Sequence, residues 1–189
     1  MTVFVTGGAR SGKSRYAEAL AAHFANKSRG EAVTYVATLS PSDDEMTRRI
    51  AQHRARRPAS WHTVEAHLEV ARAILEVERE VILLDCLSGF VSNLLLEHEN
   101  RGEVAVTNVI LEEVEAVIGA VQTSQKTVIV VSNEVGSGVV PAYPLGRWYR
   151  DALGTANARV ARSCDAAVLI SVGIPQVLKG TPPEVTVDA

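Results

Sequence analysis

The sequence has little of what would tie a chain to a membrane, a disulfide framework or a nucleic acid. Its two cysteines, Cys86 and Cys164, stand far apart, each beside an apolar run, and no zinc-ligand spacing is present. They read as buried thiols of a reducing compartment. The longest apolar runs, such as Val81–Leu84 and Val128–Val131, fall far below the ~20 residues of a spanning helix. Neither sign of charge dominates: 19 Lys and Arg stand against 22 Asp and Glu, a formal charge of -3. That excludes a chain-wide basic field for nucleic acid or an anionic lipid surface. The amino-terminal residues 1–7 lack a basic segment and a cleavage site, so mature structure and a cytoplasmic location are expected. Apolar residues are not lacking. At 47% of 189 residues they exclude intrinsic disorder, and the length suits one domain over 1–189 that buries roughly 70% of its unfolded surface.

Short β-branched runs alternate with longer amphipathic stretches. The runs Val3–Thr6, Ala32–Ala37, Val81–Asp85, Thr127–Ser132 and Ala166–Ser171 are apolar almost throughout, as in strands covered on both faces. Helical periodicity covers about 13–26, 43–57, 64–79, 88–99, 104–123 and 145–163. The alternation predicts an α/β domain, doubly wound, with a mostly parallel sheet between helices on both faces. Ser42 to Glu45 forms a possible capping box, with acids at the positive end of the next helix. After Ser171 the Gly- and Pro-rich tail reads as turns plus one or two edge strands, antiparallel as one option.

Gly7-Gly8-Ala9-Arg10-Ser11-Gly12-Lys13-Ser14 fits G-x-x-x-x-G-K-[ST] and lies between a predicted strand and a predicted helix, the context a P-loop requires. Glycines let backbone N–H groups curl around phosphate oxygens, and the helix N-terminus adds its positive dipole end. Lys13 then reaches the outer phosphates and the Ser14 hydroxyl ligates Mg²⁺. Asp85, at the carboxyl end of a buried run, fits the second magnesium-side group; a helix cap is its other reading. A guanine-reading N-K-x-D is missing, because Asn26-Lys27-Ser28-Arg29 lacks the Asp. This weighs against a regulatory GTPase.

Arg48, Arg49, Arg54, Arg56 and Arg57 crowd around His53. At helical spacing Arg49, His53 and Arg57 share one face, with Arg56 beside it. Spacing alone fits two readings: a solvated basic face, or a polyphosphate clamp that keeps a neutral imidazole nucleophilic. His23, His62, His67 and His98 read as surface or helix-packing residues.

Five stretches together, 6–14, 44–58, 84–95, 132–141 and 146–157, resemble the bifunctional adenosylcobinamide kinase / adenosylcobinamide-phosphate guanylyltransferase family of cobalamin biosynthesis. The resemblance implies a RecA-like, three-layer P-loop NTPase fold, a homotrimer, and two activities. One moves the γ-phosphate of ATP or GTP to the aminopropanol hydroxyl of adenosylcobinamide. The other forms a guanylyl-histidine from GTP and passes GMP to adenosylcobinamide phosphate. His53 matches the guanylylated position, which favours the clamp reading. Lys13 joins it as catalytic. Nucleotide contacts carry over by position to Gly7–Ser14, to Ala37, Thr38 and Leu39, to Arg54, Ala55, Arg56 and Arg57, to Glu65 and to Asp85. No nucleic-acid partner or membrane span is implied. A P-loop kinase of another small metabolite would need only Lys13, Ser14 and Asp85, without nucleotidyl transfer. The residues do not rank ATP against GTP as kinase donor. Asn133–Gly138 fits a strand-end turn or a substrate contact, and Glu134, Arg147, Arg150 and Asp151 carry no assigned role.

Overall fold

The computed structural model describes residues 1–27, 33–39, 48, 51, 54, 55 and 57–187. Among them seven strands form one sheet: β1 (Thr2–Gly7), β2 (Thr34–Ala37), β3 (His62–Glu65), β4 (Val81–Asp85), β5 (Thr127–Asn133), β6 (Ala166–Ser171) and β7 (Ile174–Lys179). The order across the sheet is β3-β2-β4-β5-β1-β6-β7, parallel except for the antiparallel β6–β7 pair. The carboxyl ends of the six parallel strands therefore share one edge, where ligands collect in open α/β sheets.

Alternation along the strands sorts the core into two layers. Val3, Val5, Val81, Leu83, Ile129 and Val131 pack against helix α1 (Lys13–Lys27) through Tyr16, Ala17, Leu20 and Ala21. Phe4, Val36, Ile82, Leu84, Val128 and Val130 face the opposite layer. That layer contains α2 (Val70–Glu76), α3 (Leu87–His98), α4 (Glu103–Ser124) and α5 (Pro144–Ser163). Helices cover both faces of the sheet, as the apolar runs require. Both cysteines are free thiols and buried. Burial pushes Cys86 up to about 11 and Cys164 up to about 12. Among the described residues no helix is long and apolar enough to cross a membrane.

The structure corrects one element. The helix expected over 64–79 begins instead as strand β3, and only Val70–Glu76 is α-helical. His62, Thr63 and Glu65 are exposed and only Val64 is half-buried, so no apolar alternation announces this edge strand. Backbone pairing with β2 defines it. The tail resolves into one antiparallel edge strand, β7, lying beyond β6. The capping box at 42–45 and most of the 43–57 stretch lie outside the described residues; Arg48, Ala51, Arg54 and Ala55 are helical.

Candidate active site

The phosphate loop runs from the end of β1 to the start of α1 and is held by its own backbone and by both neighbouring strands. Gly7 lies between Asn133 of β5 and Ile170 of β6. Its carbonyl accepts from Glu134 N–H at 3.1 Å, and Ser11 O accepts from Gly173 N–H at 2.9 Å. Within the loop Ser11 N–H donates to Gly8 O at 3.2 Å and Tyr16 N–H to Gly12 O at 3.1 Å. Two features explain the glycines. A Cβ on Gly7 would come 2.4 Å from Ile170 O and 2.6 Å from Ser11 Oγ, and Gly12 turns the chain at φ +95°. Arg10 also takes a positive φ, 59°.

Helix α1 then starts at Lys13 with no acidic residue in its first turn. Its positive end is thus not neutralised by its own sequence, as an anion cradle needs. Lys13 Nζ donates to Gly8 O at 3.1 Å across the loop. Desolvation lowers its pKa, while Cys86 and Asp85 pull it the other way. Through β5, which pairs Gly7 with Asn133 and Asp85 with Val131, the loop and Asp85 share the carboxyl edge.

Asp85 closes β4 and is 9% exposed. The Tyr35 hydroxyl donates to Asp85 Oδ2 at 2.7 Å. Burial, with Asp85 beside it, drives the Tyr35 phenol far above its ordinary range, so it serves as a neutral donor. The chain after Asp85 is pinned to the chain after β2. Thr38 Oγ1 donates to Cys86 O at 2.7 Å and accepts from Cys86 N–H at 3.0 Å. Thr38 O accepts from Asn93 Nδ2 at 2.8 Å and from His67 Nδ1 at 3.0 Å. Ala37, Thr38 and Leu39 thus sit beside Asp85 at the carboxyl edge. His67, half-buried, belongs to this edge as well, and its own carbonyl accepts from Asn93 Nδ2 of α3 at 3.0 Å.

Across the sheet the register aligns Glu65 of β3 with Ala37, and Ala37 with Asp85. Four strand spacings separate β3 from β1, roughly 19 Å at the usual inter-strand distance. Arg57 lies at the β3 side: its guanidinium carbon is 3.6 Å from the Tyr35 ring centroid and its NH1 donates to Thr63 Oγ1 at 3.2 Å. Its N–H donates to Arg54 O at 3.3 Å, and Arg54 and Ala55 are helical. Arg54 and Arg57 line a cavity of about 410 Å³ with Trp61, His62 and Thr63. Glu65 lines a separate cleft of about 910 Å³ with His67, Glu69 and Arg72. The sequence-expected contacts thus form two groups: the cradle, Asp85, Ala37–Leu39 and Glu65 along the carboxyl edge, and Arg57 with Arg54 beside the amino-terminal half of β3. The expected catalytic His53, with Arg49 and Arg56, lies outside the described residues.

At the end of β5, Ser132 Oγ donates to Asn157 Oδ1 at 2.6 Å, and Asn157 Nδ2 donates to Asn133 O at 2.9 Å. Asn133 Nδ2 donates to Ser88 Oγ at 3.0 Å. These amides brace β5 against α3 and α5. Glu134 Oε1 accepts from Gly136 N–H at 2.7 Å and Ser137 N–H at 3.2 Å, so its carboxylate closes the turn. Arg147 holds the next loop through Pro141 O and Ala142 O, and Arg150 pairs with Asp151.

A strand–loop–helix phosphate cradle, a lysine at its mouth and an aspartate ending a buried parallel strand define a P-loop nucleotide-binding enzyme. The comparisons refine that class. Residues 3–178 match the family described as cobinamide kinase / cobinamide phosphate guanyltransferase. The bifunctional adenosylcobalamin biosynthesis protein CobP of Pseudomonas aeruginosa is 42% identical over 185 residues, which is 96% of this chain and 99% of that protein. CobU of Salmonella typhimurium, named as a bifunctional adenosylcobalamin biosynthesis protein, is 41% identical over 95% of this chain and its own full length. The chain belongs to the cobinamide kinase / cobinamide phosphate guanyltransferase family. More distant likeness bears on the fold alone. The flagellar accessory protein FlaH of Methanocaldococcus jannaschii aligns at TM-score 0.52 and 13% identity, over 98% of this chain and 82% of that one. A KaiC-like protein of Pyrococcus horikoshii aligns at TM-score 0.50 and 17% identity, over 89% and 69% respectively. Both are consistent with the RecA-like architecture.

Proposed function

We propose that this chain carries out both reactions of its family within one domain of residues 1–189. It phosphorylates adenosylcobinamide, then converts adenosylcobinamide phosphate to its GDP-activated form. The observation that carries this reading is the cradle at residues 7–14 facing Asp85, in a chain that matches bifunctional relatives end to end.

In the first reaction the aminopropanol hydroxyl oxygen bonds to the γ-phosphorus of ATP or GTP. The bond from that phosphorus to the β–γ bridging oxygen breaks, its electron pair leaves on that oxygen with the nucleoside diphosphate, and the hydroxyl's proton passes to solvent. Loop N–H groups and the Lys13 ammonium hold the phosphate oxygens and offset charge on the leaving group. In the second, an imidazole nitrogen of His53 bonds to the α-phosphorus of GTP and pyrophosphate leaves. A phosphate oxygen of adenosylcobinamide phosphate then takes the GMP and the N–P bond breaks, which frees His53. Arg54, Arg56 and Arg57 are the cations assigned to this half of the reaction, with Ala37–Leu39, Ala55 and Glu65 as further nucleotide contacts.

The donors available beside the cradle, the Ser14 hydroxyl and the Asp85 carboxylate, are hard oxygens that suit Mg²⁺. When bound, Mg²⁺ neutralises phosphate charge at the leaving group. A cytoplasmic homotrimer completes the reading. Its support is the outer strand β7, whose Ile174, Val177 and Leu178 are exposed together with Val172, as an edge covered by a partner would be.

The test is incubation with Mg²⁺ and GTP labelled separately at the α- and γ-phosphates, followed by a denaturing quench. The expected result is retained α-label that is acid-labile, alkali-stable and absent from His53→Asn. Retention of neither label would replace this reading by a P-loop kinase that acts on its acceptor without nucleotidyl transfer.

A further inference from the structure

One side chain touches both groups of the candidate site. Tyr35 stands in β2 directly across from Thr63 of β3 and Leu83 of β4. Asp85 lies two residues beyond Leu83, so it shares the face of Tyr35 on the diagonal. A tyrosine is long enough to span that diagonal, and its hydroxyl reaches Asp85 Oδ2 at 2.7 Å. Phenylalanine would fill the same space without the bond. The ring is 3% exposed as a residue, and its face carries the Arg57 guanidinium 3.6 Å from the centroid. Arg57 is steadied there by Thr63 Oγ1, on the strand residue paired with Tyr35.

Each contact fixes something that chemistry needs. A carboxylate with one oxygen on a neutral donor has a defined rotamer and presents its other oxygen in a set direction. An arginine seated on an aromatic face is ordered before any phosphate arrives, and lower ordering cost improves binding.

We infer that Tyr35 is a positioning residue: its hydroxyl aligns the metal-side carboxylate of Asp85, and its ring seats Arg57, so that one side chain sets the phosphate cradle against the arginine-bearing segment. The inference rests on the functional reading above, in which Asp85 meets Mg²⁺ and Arg57 meets nucleotide. It names a residue with no motif of its own.

The test uses a GTP analogue with a methylene α–β bridge, which cannot transfer GMP, so its binding reads position and not turnover. Calorimetric affinity is measured with excess Mg²⁺ and with EDTA, for the full chain and for Tyr35→Phe. Tyr35→Phe keeps the ring and loses only the hydroxyl. The expected result is about tenfold weaker binding with Mg²⁺ and less than a twofold change with EDTA. Equal weakening in both conditions would mark a merely structural tyrosine, and no change in either would show that Asp85 aligns itself; each overturns the inference. Tyr35→Leu removes the ring too and is expected to weaken the EDTA condition by a further three- to tenfold. Arg57→Lys should produce much of that second loss and add little to Tyr35→Leu; full additivity overturns the ring contact. It also reads that contact from the other side where Tyr35→Leu folds poorly. A wild-type protein that retains no α-label from GTP would remove the functional reading and leave this comparison standing, because the analogue cannot donate GMP and no corrinoid acceptor for its γ-phosphate is present.

Discussion

The phosphate cradle and the Arg57 side of the sheet are built differently. Around β1 the phosphate loop is held by main chain: Gly7 O and Ser11 O each accept a backbone N–H from a neighbouring strand end or turn. At β3 backbone bonds such as Trp61 N–H to Pro58 O hold the turn, but side chains place the guanidinium. Arg57 rests on Tyr35 and Thr63, and Arg54 is exposed. Backbone bonds are indifferent to which nucleotide arrives, which suits a cradle proposed to serve two reactions. Side-chain contacts at a sheet edge can be specific to one reaction, which suits a segment proposed to accept GMP and release it. The difference predicts that damage at the cradle spreads to both activities and damage at the edge stays with one.

The largest effect that would sharpen this contrast is at the edge. His53→Asn should lose guanylyl transfer and retained α-label completely, while γ-phosphate transfer to adenosylcobinamide stays within a few-fold of wild type. Equal loss of both in a folded variant, measured by separate product assays, would break the contrast. Next is Lys13→Ala, expected to lower both half-reactions by ~10²-fold or more, because in the proposed function one ammonium serves both sets of phosphates. A variant with only one reaction impaired would show that the two triphosphates do not share the loop.

A third prediction separates two glycines inside the cradle. At Gly7 a Cβ would press on the Ile170 carbonyl at 2.4 Å, whereas at Gly8 it would meet nothing within 4 Å. Strand backbone cannot step aside as a flexible side chain can. Gly7→Ala should therefore destabilise the chain by about 2–4 kcal/mol, and Gly8→Ala by under about 0.5 kcal/mol in denaturant unfolding. Similar losses at both sites would mean that loop flexibility, and not packing between β5 and β6, sets the requirement.

The same contrast explains what could be read in advance. The loop at 7–14, Asp85 and the parallel strands follow local rules: glycines before a helix, an acid ending an apolar run, buried faces on both sides. Strand β3 follows none of them, being four residues long and mostly exposed, so the helical pattern after it extended backwards over its last two residues. Helical spacing put Arg57 on one face with Arg49 and His53, but the chain leaves the helix before Arg57 and the guanidinium turns to Tyr35. Tyr35 itself reads as a core aromatic until strand order sets β2 beside β4 and puts Asp85 on its diagonal. His67 likewise acquires its partner, Thr38 O, only from tertiary structure. Motifs are local; the links between them depend on register.

The smallest expected effect concerns the two buried thiols, one at each end of the sheet. Cys86 follows Asp85 at the nucleotide edge, and Cys164 precedes β6 at the opposite end. Burial pushes the first up to about 11 and the second up to about 12 from an ordinary value of 9.0. In both cases the folded state keeps its proton where the unfolded chain loses it. Their contribution is therefore complete below about pH 9 and declines as pH rises toward the folded values, by at most roughly 1.4 kcal/mol per pH unit for each thiol. Lys13, lowered by desolvation, titrates in the opposite sense, and the raised Tyr35 and Tyr149 add to the loss only above about pH 10. The informative comparison is thus the slope of unfolding free energy from pH 9 to 10 in wild type and Cys164→Ala. All other groups cancel in that difference, and the variant should lose stability less steeply while binding nucleotide as before, since Cys164 lies away from the cradle. Parallel slopes would mean that Cys164 ionises alike in the folded and unfolded chains.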